Sequence, residues 1–501
     1  MNLYEEYVSK MRRIADIQRA VAVLHWDKEV NLPAGASLFR SQQIATLSSL
    51  AHSLFVEEST GVLLERLVSG NSLDDDQKRN VELSLRDFRK EVTLTPSFVE
   101  RLAMAQSEAF TQWIKAREEN DFGVFAPALE HLVTLKREEA EFRGYEHEPY
   151  DALLDVYEPG LTGHDVETLF DEARDRIIPL IRKIRERPQP DTSFLHRYYP
   201  KEKQWQFGID ILGQLGYNFD YGRQDLSVHP FTISFSPQDV RVTTRVNEND
   251  FSNMLWSCIH ECGHALYEQG LPLSQYGLPL GSAASLAIHE SQSRLWENQI
   301  ARGKAFWNHQ LPRLRSVFPE NLDGVSPDQF HAAINSIAPN LIRTEADELH
   351  YHLHVIVRYE IERELMNSVI HVNALPEIWN RKYKEYLQVS VPDDKQGILQ
   401  DVHWSHGGFG YFPTYSMGSF YAAQFFDKAS HDIPALTMEI GEGRYANLHS
   451  WLKENIYRHG RKYDPEDLCM KVTGTPREIS SFVKYAIDKY KIDIPETHPY
   501  E

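Results

Sequence analysis

The residues best suited to chemistry are two histidines and a glutamate within residues 257–268, where the chain reads His260-Glu261-x-x-His264. On an α-helix, residues four apart share one face, so His260 and His264 can present two imidazoles to one metal ion. Zinc binds neutral imidazole nitrogen, and a catalytic zinc site keeps one position for water, which a nearby carboxylate can deprotonate. The pattern therefore predicts a zinc site with Glu261 as its general base.

Two histidines on one helix need a third protein ligand from another segment. Residues 283–300 are predicted to form the next helix, and a glutamate on a following helix is one recurring solution. Glu290 is the first choice, with His289 and Glu297 as competitors. Because an acidic residue of a helix commonly belongs to a solvated face, position alone does not decide among the three.

The motif needs a helix to position it, and its flanks predict one. Asn249, Asp250 and Ser252 offer N-cap oxygens, while Gly270 and Pro272 end the apolar pattern. Apolar residues between these limits predict a helix that is mostly buried.

A β-ribbon is predicted immediately before this helix. Apolar and polar residues alternate in residues 229–235 and again in 239–246, with a turn at 236–238. A strand edge beside a hydrolytic metal can hold an extended peptide by main-chain hydrogen bonds. The alternative is a structural hairpin that only covers the core.

Helical periodicity dominates the rest of the chain. An N-terminal helical layer is predicted at about 1–190, and a catalytic portion at about 220–420. Residues 397–415 read as a loop rich in His, Tyr and Gly, and residues 416–501 as four or five helices. Further helices are predicted at 3–26, 42–54, 74–95, 96–119, 123–144, 163–187 and 341–368.

Composition narrows the class of protein. A chain of 501 residues with 42% hydrophobic residues can bury a large core. A formal net charge of -20 argues against binding to nucleic acid or to an anionic membrane surface. Three cysteines are too few for a disulfide framework and favour a reducing cytoplasm, and no run of eighteen apolar residues predicts a membrane span.

Six short motifs, in the same order along the chain, resemble those of the zinc carboxypeptidases typified by thermostable carboxypeptidase Taq. The N-terminal Trp26-Asp27 and Pro33 are also similar, so the resemblance extends over essentially the full length. The motifs are His229-Pro230-Phe231, Asp239-x-Arg241-x-Thr243, His260-Glu261-x-x-His264, His289-Glu290-Ser291-Gln292, Ile342-Arg343-x-x-Ala346-Asp347 and Gly397-x-x-Gln400-Asp401-x-His403-Trp404.

The resemblance implies a mainly α, two-lobed helical metallopeptidase with a deep central groove and a small β-ribbon beside the zinc helix. It implies one peptidase domain over residues 1–501, in a cytoplasmic homodimer that removes single amino acids from peptide C-termini with broad specificity. Carried over, His260, His264 and Glu290 bind one Zn²⁺ per chain, which Co²⁺ or another divalent ion could replace, and Glu261 is the general base.

Further roles concern the substrate. Tyr415 is the first candidate for stabilising the oxyanion and Tyr411 the second, because residues 406–415 resemble a His/Tyr loop of thimet oligopeptidase. Arg343 is the first candidate for binding a free terminal carboxylate, and Arg241 or Arg245 the second. For each arginine the alternative is an internal salt bridge.

Some questions stay open from sequence alone. His229, His403 and Tyr411 are further candidate substrate-binding residues. Many related zinc peptidases place an acid four residues after the third ligand to orient a zinc histidine, but Arg294 occupies that position here. An endo-acting zinc oligopeptidase is the main alternative function, and a non-catalytic metal-binding protein is disfavoured because it would not need Glu261.

Overall fold

The computed structural model describes residues 2–70 and 72–492, most of which are in helices. The mainly α fold expected from the sequence is thereby confirmed. The α-helices are, in chain order, α1 Leu3–Val30, α2 Ser37–Val56, α3 Glu58–Val68, α4 Asp75–Val92, α5 Pro96–Glu119, α6 Phe122–Arg143, α7 Pro149–Leu154, α8 Gly163–Arg185, α9 Lys201–Leu215, α10 Phe251–Gly270, α11 Leu286–Arg294, α12 Lys304–Val317, α13 Pro327–Ile334, α14 His350–Met366, α15 Leu375–Tyr386, α16 Pro413–Asp432, α17 Leu436–Gly441, α18 Ala446–Asn455, α19 Pro465–Thr473 and α20 Ser480–Tyr490.

Local capping explains why several helices begin and end where the sequence predicts. Helix α5 starts at Pro96, where the Thr95 hydroxyl accepts a hydrogen bond from the Phe98 N–H, and it ends before Asn120, which is left-handed at φ 55°. Helix α10 starts after Asp250, whose carboxylate accepts from the Ser252 N–H at 3.0 Å.

The predicted ribbon is part of a three-stranded sheet. Its strands are β1 Gln224–Leu226, β2 Thr232–Ser236 and β3 Asp239–Thr244, in the order β1-β3-β2. Strand β2 pairs with β3 in antiparallel register, whereas β1 pairs with β3 in parallel. The ribbon is confirmed, but β1 was not predicted, since three residues are too short to show an alternating pattern.

The chain forms two compact units. The first contains Met1–Val92, Asp191–Ile334 and Phe425–Pro476, and the second contains Thr93–Pro190, Asn335–Gln424 and Arg477–Glu501. Each unit is therefore assembled from segments that are far apart in sequence. The single peptidase domain expected over residues 1–501 stays a prediction.

Helix α10 runs through the core of the first unit. Leu255, Ile259, Ala265 and Leu266 are completely buried in it, as the apolar pattern predicts. It packs against α9, α11 and strands β2 and β3. Burial on several sides fixes its position, so side chains on its remaining face are held with little freedom.

Helix α14 has the corresponding place in the second unit, where it packs against α6, α7, α8 and α15. The sequence predicts a helix that opens at about residue 341, and this boundary is wrong. Residues 341–349 contain only a short 3₁₀ turn, Arg343–Glu345, and α14 starts at His350. Asp347 accepts from the N–H groups of Leu349 and His350, both at 3.0 Å, so its carboxylate caps the start of the helix.

The region after α15 differs in two details from the loop predicted at residues 397–415. Residues 403–406 form a 3₁₀ turn, His403–His406, and α16 begins at Pro413, so Tyr415 lies in its first turn. Five helices follow residue 412, and residues 493–501 lie outside the described residues. None of the described helices is long and apolar enough to cross a membrane.

Candidate metal centre

Helices α10 and α11 bring three potential metal ligands together in the first unit. Nε2 of His260 lies 3.6 Å from Oε2 of Glu290, and Nε2 of His264 lies 3.5 Å from the same oxygen. One ligand atom from each residue falls within 4.8 Å of the others, the only such group found among the described residues. Ligand atoms bound to one tetrahedral zinc ion at about 2.1 Å are roughly 3.4 Å apart. Two imidazoles and a carboxylate in this arrangement therefore fit a divalent cation.

The close approach of the two helices depends on Gly263, which lies between the two histidines. A Cβ atom at this position would be 2.5 Å from Cα of Ser293 and 2.6 Å from the carbonyl oxygen of Gln292. Both of these are backbone atoms of α11, so the neighbour cannot move aside by changing a rotamer. The short distance between Glu290 and the two histidines therefore depends on the absence of a side chain at Gly263.

Gly263→Ala is expected to destabilise the protein by about 1–3 kcal/mol, because the added methyl overpacks a contact between two backbones. It should also weaken metal binding, since α11 must shift away from α10. Chemical denaturation in the presence of chelator measures the first effect, and metal titration measures the second. Gly213→Ala is a suitable control, since its Cβ would be 4.0 Å from the nearest atom, in the ring of Phe219. Equal stability of both variants would contradict the packing role.

His260 has a second carboxylate partner. Its Nδ1 lies 3.0 Å from Oε2 of Glu297, which is in a π-helical segment, Leu295–Ala301, that continues α11. Burial alone would raise the pKa of Glu297, but the hydrogen bond with His260 and the charges of Arg302 and Arg294 hold it well below its usual range. An ionised Glu297 accepts the Nδ1 proton, which leaves the Nε2 lone pair of His260 directed to the metal site.

His264 is held differently, by backbone and hydroxyl groups. Its Nδ1 lies 3.1 Å from the carbonyl oxygen of His289, and the Ser293 hydroxyl lies 3.0 Å from its Nε2. The rings of His264 and His289 stack with centroids 4.4 Å apart. Burial lowers the pKa of His264 to about 4, so the ring is neutral near pH 7, as a metal ligand must be.

The three candidates for the third ligand have distinct partners. Glu290 faces both histidines, and its other oxygen, Oε1, accepts from Nε of Arg294 at 2.7 Å. His289 instead bonds through Nε2 to Glu268 at 3.0 Å, and Glu297 is bonded to the far nitrogen of His260. Of these three candidates, Glu290 is therefore the one whose position suits the third metal ligand.

Glu261 lies beside the ligands as a buried carboxylate. The Thr232 hydroxyl, on β2, lies 2.6 Å from Oε2 of Glu261 and 2.9 Å from its carbonyl oxygen. Burial raises the pKa of Glu261, and nearby His260 and the Thr232 hydrogen bond partly oppose this. A carboxylate that is held in place and easier to protonate than usual suits a general base.

The candidate substrate-binding residues in and near the ribbon are Arg241, Arg245 and His229, and the two arginines already have partners within the protein. The guanidinium of Arg241 donates two hydrogen bonds to Asp239, at 2.9 and 3.0 Å, and packs 4.4 Å from the ring of Trp26. Arg245 donates to Asn253, and His229 is exposed. An internal ion pair accounts for Arg241, while a substrate role for these residues stays a prediction.

Arg343 belongs to a buried ion cluster in the second unit. Its Nε and Nη2 donate to Oδ1 of Asp401 at 3.2 and 2.9 Å, while Nε of Arg358 donates to Oδ2 at 2.6 Å. Two arginines thus share one carboxylate, which leaves a formal surplus of one positive charge. The internal salt bridge that was the alternative for Arg343 is therefore present with Asp401, while the nearby Asp347 pairs with His350.

The other predicted residues of the second unit lie around this cluster. Nε2 of His403 is 3.3 Å from the Tyr415 hydroxyl, and the rings of Tyr411 and Tyr415 have centroids 5.3 Å apart. The guanidinium carbon of Arg343 lies 4.9 Å from the ring centroid of Tyr415. Burial lowers the pKa of His403 to about 4, so its imidazole is neutral near pH 7. Four candidate residues from separate sequence motifs therefore lie close together: Arg343, His403, Tyr411 and Tyr415.

Sequence reasoning missed two groups that act on the metal-site residues. Thr232, which holds Glu261, gave no signal because a threonine in an alternating strand is ordinary. Glu297 was considered only as a ligand; its spacing of seven residues from Glu290, which places it on the same helix face, was the available signal for an orienting role.

The sequence and the fold resemble those of known carboxypeptidases. Carboxypeptidase 1 of Bacillus subtilis is 38% identical over 496 residues, covering 98% of each chain. Thermostable carboxypeptidase 1 of Thermus thermophilus is 39% identical over 502 residues, covering 97% of this chain and 98% of the relative. The crystal structure of an M32 carboxypeptidase from Deinococcus radiodurans R1 has a TM-score of 0.96 and 36% identity, covering 98% of this chain and 100% of that one.

A family model described as carboxypeptidase Taq (M32) metallopeptidase matches residues 6–490. Nearly the whole chain, including every residue of the metal centre, lies within that match. This extent, together with the geometry of His260, His264 and Glu290, establishes that the chain belongs to the carboxypeptidase Taq (M32) family of metallopeptidases.

Proposed function

We propose that this metallocarboxypeptidase uses one zinc ion per chain to release single amino acids, with broad specificity, from the free C-termini of peptides. The observation that carries the proposal is the convergence of His260, His264 and Glu290, with the buried Glu261 beside them. A purely structural metal site would have no use for a carboxylate base at this position.

His260, His264 and Glu290 would hold the ion. When bound, it supplies a Lewis acid that polarises the peptide carbonyl and makes water acidic enough to lose a proton near neutral pH. Nε of Arg294 donates a hydrogen bond to Oε1 of Glu290 at 2.7 Å, so this glutamate offers Oε2 as its single donor atom to a metal. Three protein donor atoms would leave such an ion accessible to water or substrate.

Glu261 moves the proton. Because the Thr232 hydroxyl bonds to Oε2, the other oxygen of Glu261 is left to accept a proton from the attacking water. The same carboxyl group then donates this proton to the leaving amine, which would otherwise depart as a poor, anionic leaving group. Burial favours the protonated form between these two steps, because it disfavours the charged carboxylate.

Recognition of a free C-terminus is proposed to rest on the arginine cluster. Arg343 and Arg358 together carry one positive charge more than Asp401 neutralises. A peptide carboxylate would satisfy that surplus, whereas an internal peptide bond cannot. Both arginines are buried, so their charges are only weakly screened by solvent.

Amidation of a test peptide's C-terminus is expected to reduce hydrolysis by at least about 30-fold, the effect of losing one partner of a buried charge pair. The measurement is release of free amino acids from matched acid and amide peptides. Arg343→Gln should reduce the discrimination between the two peptides, while Arg241→Gln should preserve it. If Arg241→Gln alone removes the discrimination, the carboxylate site lies on the ribbon instead.

The products of the same assay separate the two enzyme functions. Stepwise release of C-terminal residues supports the carboxypeptidase, whereas internal fragments and equal cleavage of the amide would support an endo-acting oligopeptidase. The oxyanion role of Tyr415 or Tyr411, the substrate contacts of His403 and His229, the homodimer and the cytoplasmic location stay predictions.

A further inference from the structure

We propose that Glu297, which lies in a π-helical turn, is a positioning residue that sets the metal affinity of the site by orienting His260. This inference rests on the proposed metal site. Many related zinc peptidases have an orienting acid four residues after the third ligand, where this chain has Arg294. Glu297 would supply the missing carboxylate from a position seven residues after Glu290.

The helix changes its winding immediately after Arg294. Residues Leu295–Ala301 form a π-helix in which every residue is buried, and the N–H of Arg302 bonds to the carbonyl of Glu297, five residues earlier, at 2.9 Å. A π-turn is rare and less favourable than an α-turn, and it occurs mostly at functional sites. Here the π-helical segment begins two residues before Glu297, whose carboxylate reaches Nδ1 of His260.

Glu297 is fixed from its other side by Arg302. Nη2 of Arg302 donates to Oε1 of Glu297 at 3.0 Å. The other oxygen, Oε2, lies 3.0 Å from Nδ1 of His260 and 3.5 Å from Nη1 of Arg294. The arginine is itself held by the carbonyl of Ile334, at 2.9 Å, and lies 4.2 Å from the ring of Trp256. The order Arg302, Glu297, His260 therefore forms a chain of contacts that ends at a metal ligand.

This arrangement has two consequences for a bound cation. A carboxylate that accepts the Nδ1 proton fixes the tautomer and the ring orientation of His260, and it makes Nε2 more basic. The negative charge of Glu297 also faces the site through the imidazole. Loss of such an orienting partner typically costs 10- to 100-fold in metal affinity.

A matched control exists in the same unit. Glu268 and His289 form a second, partly buried carboxylate–imidazole pair with the same 3.0 Å separation, but His289 does not belong to the group of potential ligands. Glu268→Gln therefore removes the same charge from the same kind of pair without touching a ligand. A general effect of removing the carboxylate charge from such a pair would appear in both variants.

The test compares Glu297→Gln with Glu268→Gln, each stripped of metal and titrated with Zn²⁺ in competition with a chromophoric chelator. We expect about 10- to 100-fold weaker binding for Glu297→Gln and wild-type binding for Glu268→Gln. The visible spectrum of the Co²⁺-loaded protein should change only in Glu297→Gln, since it reports ligand geometry. Wild-type affinity and spectrum in Glu297→Gln, or equal losses in both variants, would overturn the inference.

Two further variants keep the result interpretable. If Glu297→Gln does not fold, Glu297→Asp decides, because it keeps the charge but is too short to reach His260 from an unchanged backbone; wild-type affinity would then overturn the inference. His264→Ala tests the metal site itself. If it binds Zn²⁺ as wild type does, the proposed site fails, whereas a loss in His264→Ala without a loss in Glu297→Gln refutes only the positioning role.

Discussion

Replacing Glu261 with glutamine is expected to lower kcat about 10²- to 10⁴-fold while the metal content stays at the wild-type level, because the base is lost and the ligands are kept. The glutamine amide fills the same space and can still accept from Thr232, whose hydroxyl lies 2.6 Å from the present carboxylate. The measurement is the rate of amino acid release from an unblocked peptide, with enzyme concentration normalised to bound metal.

Thr232→Val provides a graded comparison for this prediction. It removes the hydroxyl that contacts both the carboxylate and the backbone carbonyl of Glu261. A hydrogen bond to a charged group contributes about 1.5–3 kcal/mol. We expect a smaller fall in kcat than for Glu261→Gln, and recovery in Thr232→Ser. Full activity of Glu261→Gln at equal metal content would exclude Glu261 as the base and would require another proton acceptor.

Removal of a metal ligand is the second prediction with a large effect. His264→Ala is expected to weaken metal binding by more than the roughly 100-fold that loss of an orienting partner costs, with a matching loss of activity. The ring of His264 contributes one of the three donor atoms, so its loss leaves His260 and Glu290 as an incomplete set. Metal content after gel filtration and the melting temperature with and without added Zn²⁺ measure the effect, since a bound ligand stabilises only the folded state.

His289→Ala is the control for His264→Ala. It deletes an imidazole that stacks on His264 at 4.4 Å but keeps the backbone carbonyl that His264 contacts. Metal binding should therefore persist in His289→Ala. Chelation of the wild type should reproduce the inactivity of His264→Ala, and added Zn²⁺ should restore only the wild type. Retention of metal by His264→Ala would place the ion elsewhere.

Local sequence signals determined a large part of this protein. Capping residues and periodicity predicted helix α5 at its observed limits and α10 between Asp250 and Gly270, because a cap satisfies backbone groups of the first turn wherever the helix finally packs. The spacing of His260 and His264 likewise follows from helix geometry alone. The same local signals failed at residue 341, where Asp347 caps a helix that starts later.

Contacts between distant segments were decided only by the tertiary structure. Position alone did not decide the choice of Glu290, because it depends on how closely α11 approaches α10, and Gly263 permits that approach. Glu297 reaches His260 from a π-helical segment, whose winding no local pattern predicted. Arg343 pairs with Asp401, 58 residues away, rather than with the nearby Asp347.

The physical reason for this division is the range of the interactions involved. Helix geometry fixes which side chains share a face within about two turns, so residue types and spacing predict the two histidines and the adjacent base. The relative placement of two helices depends on close packing of many side chains, which no short pattern encodes. The sequence therefore determined the chemistry available to this protein, and the tertiary structure decided which groups orient it.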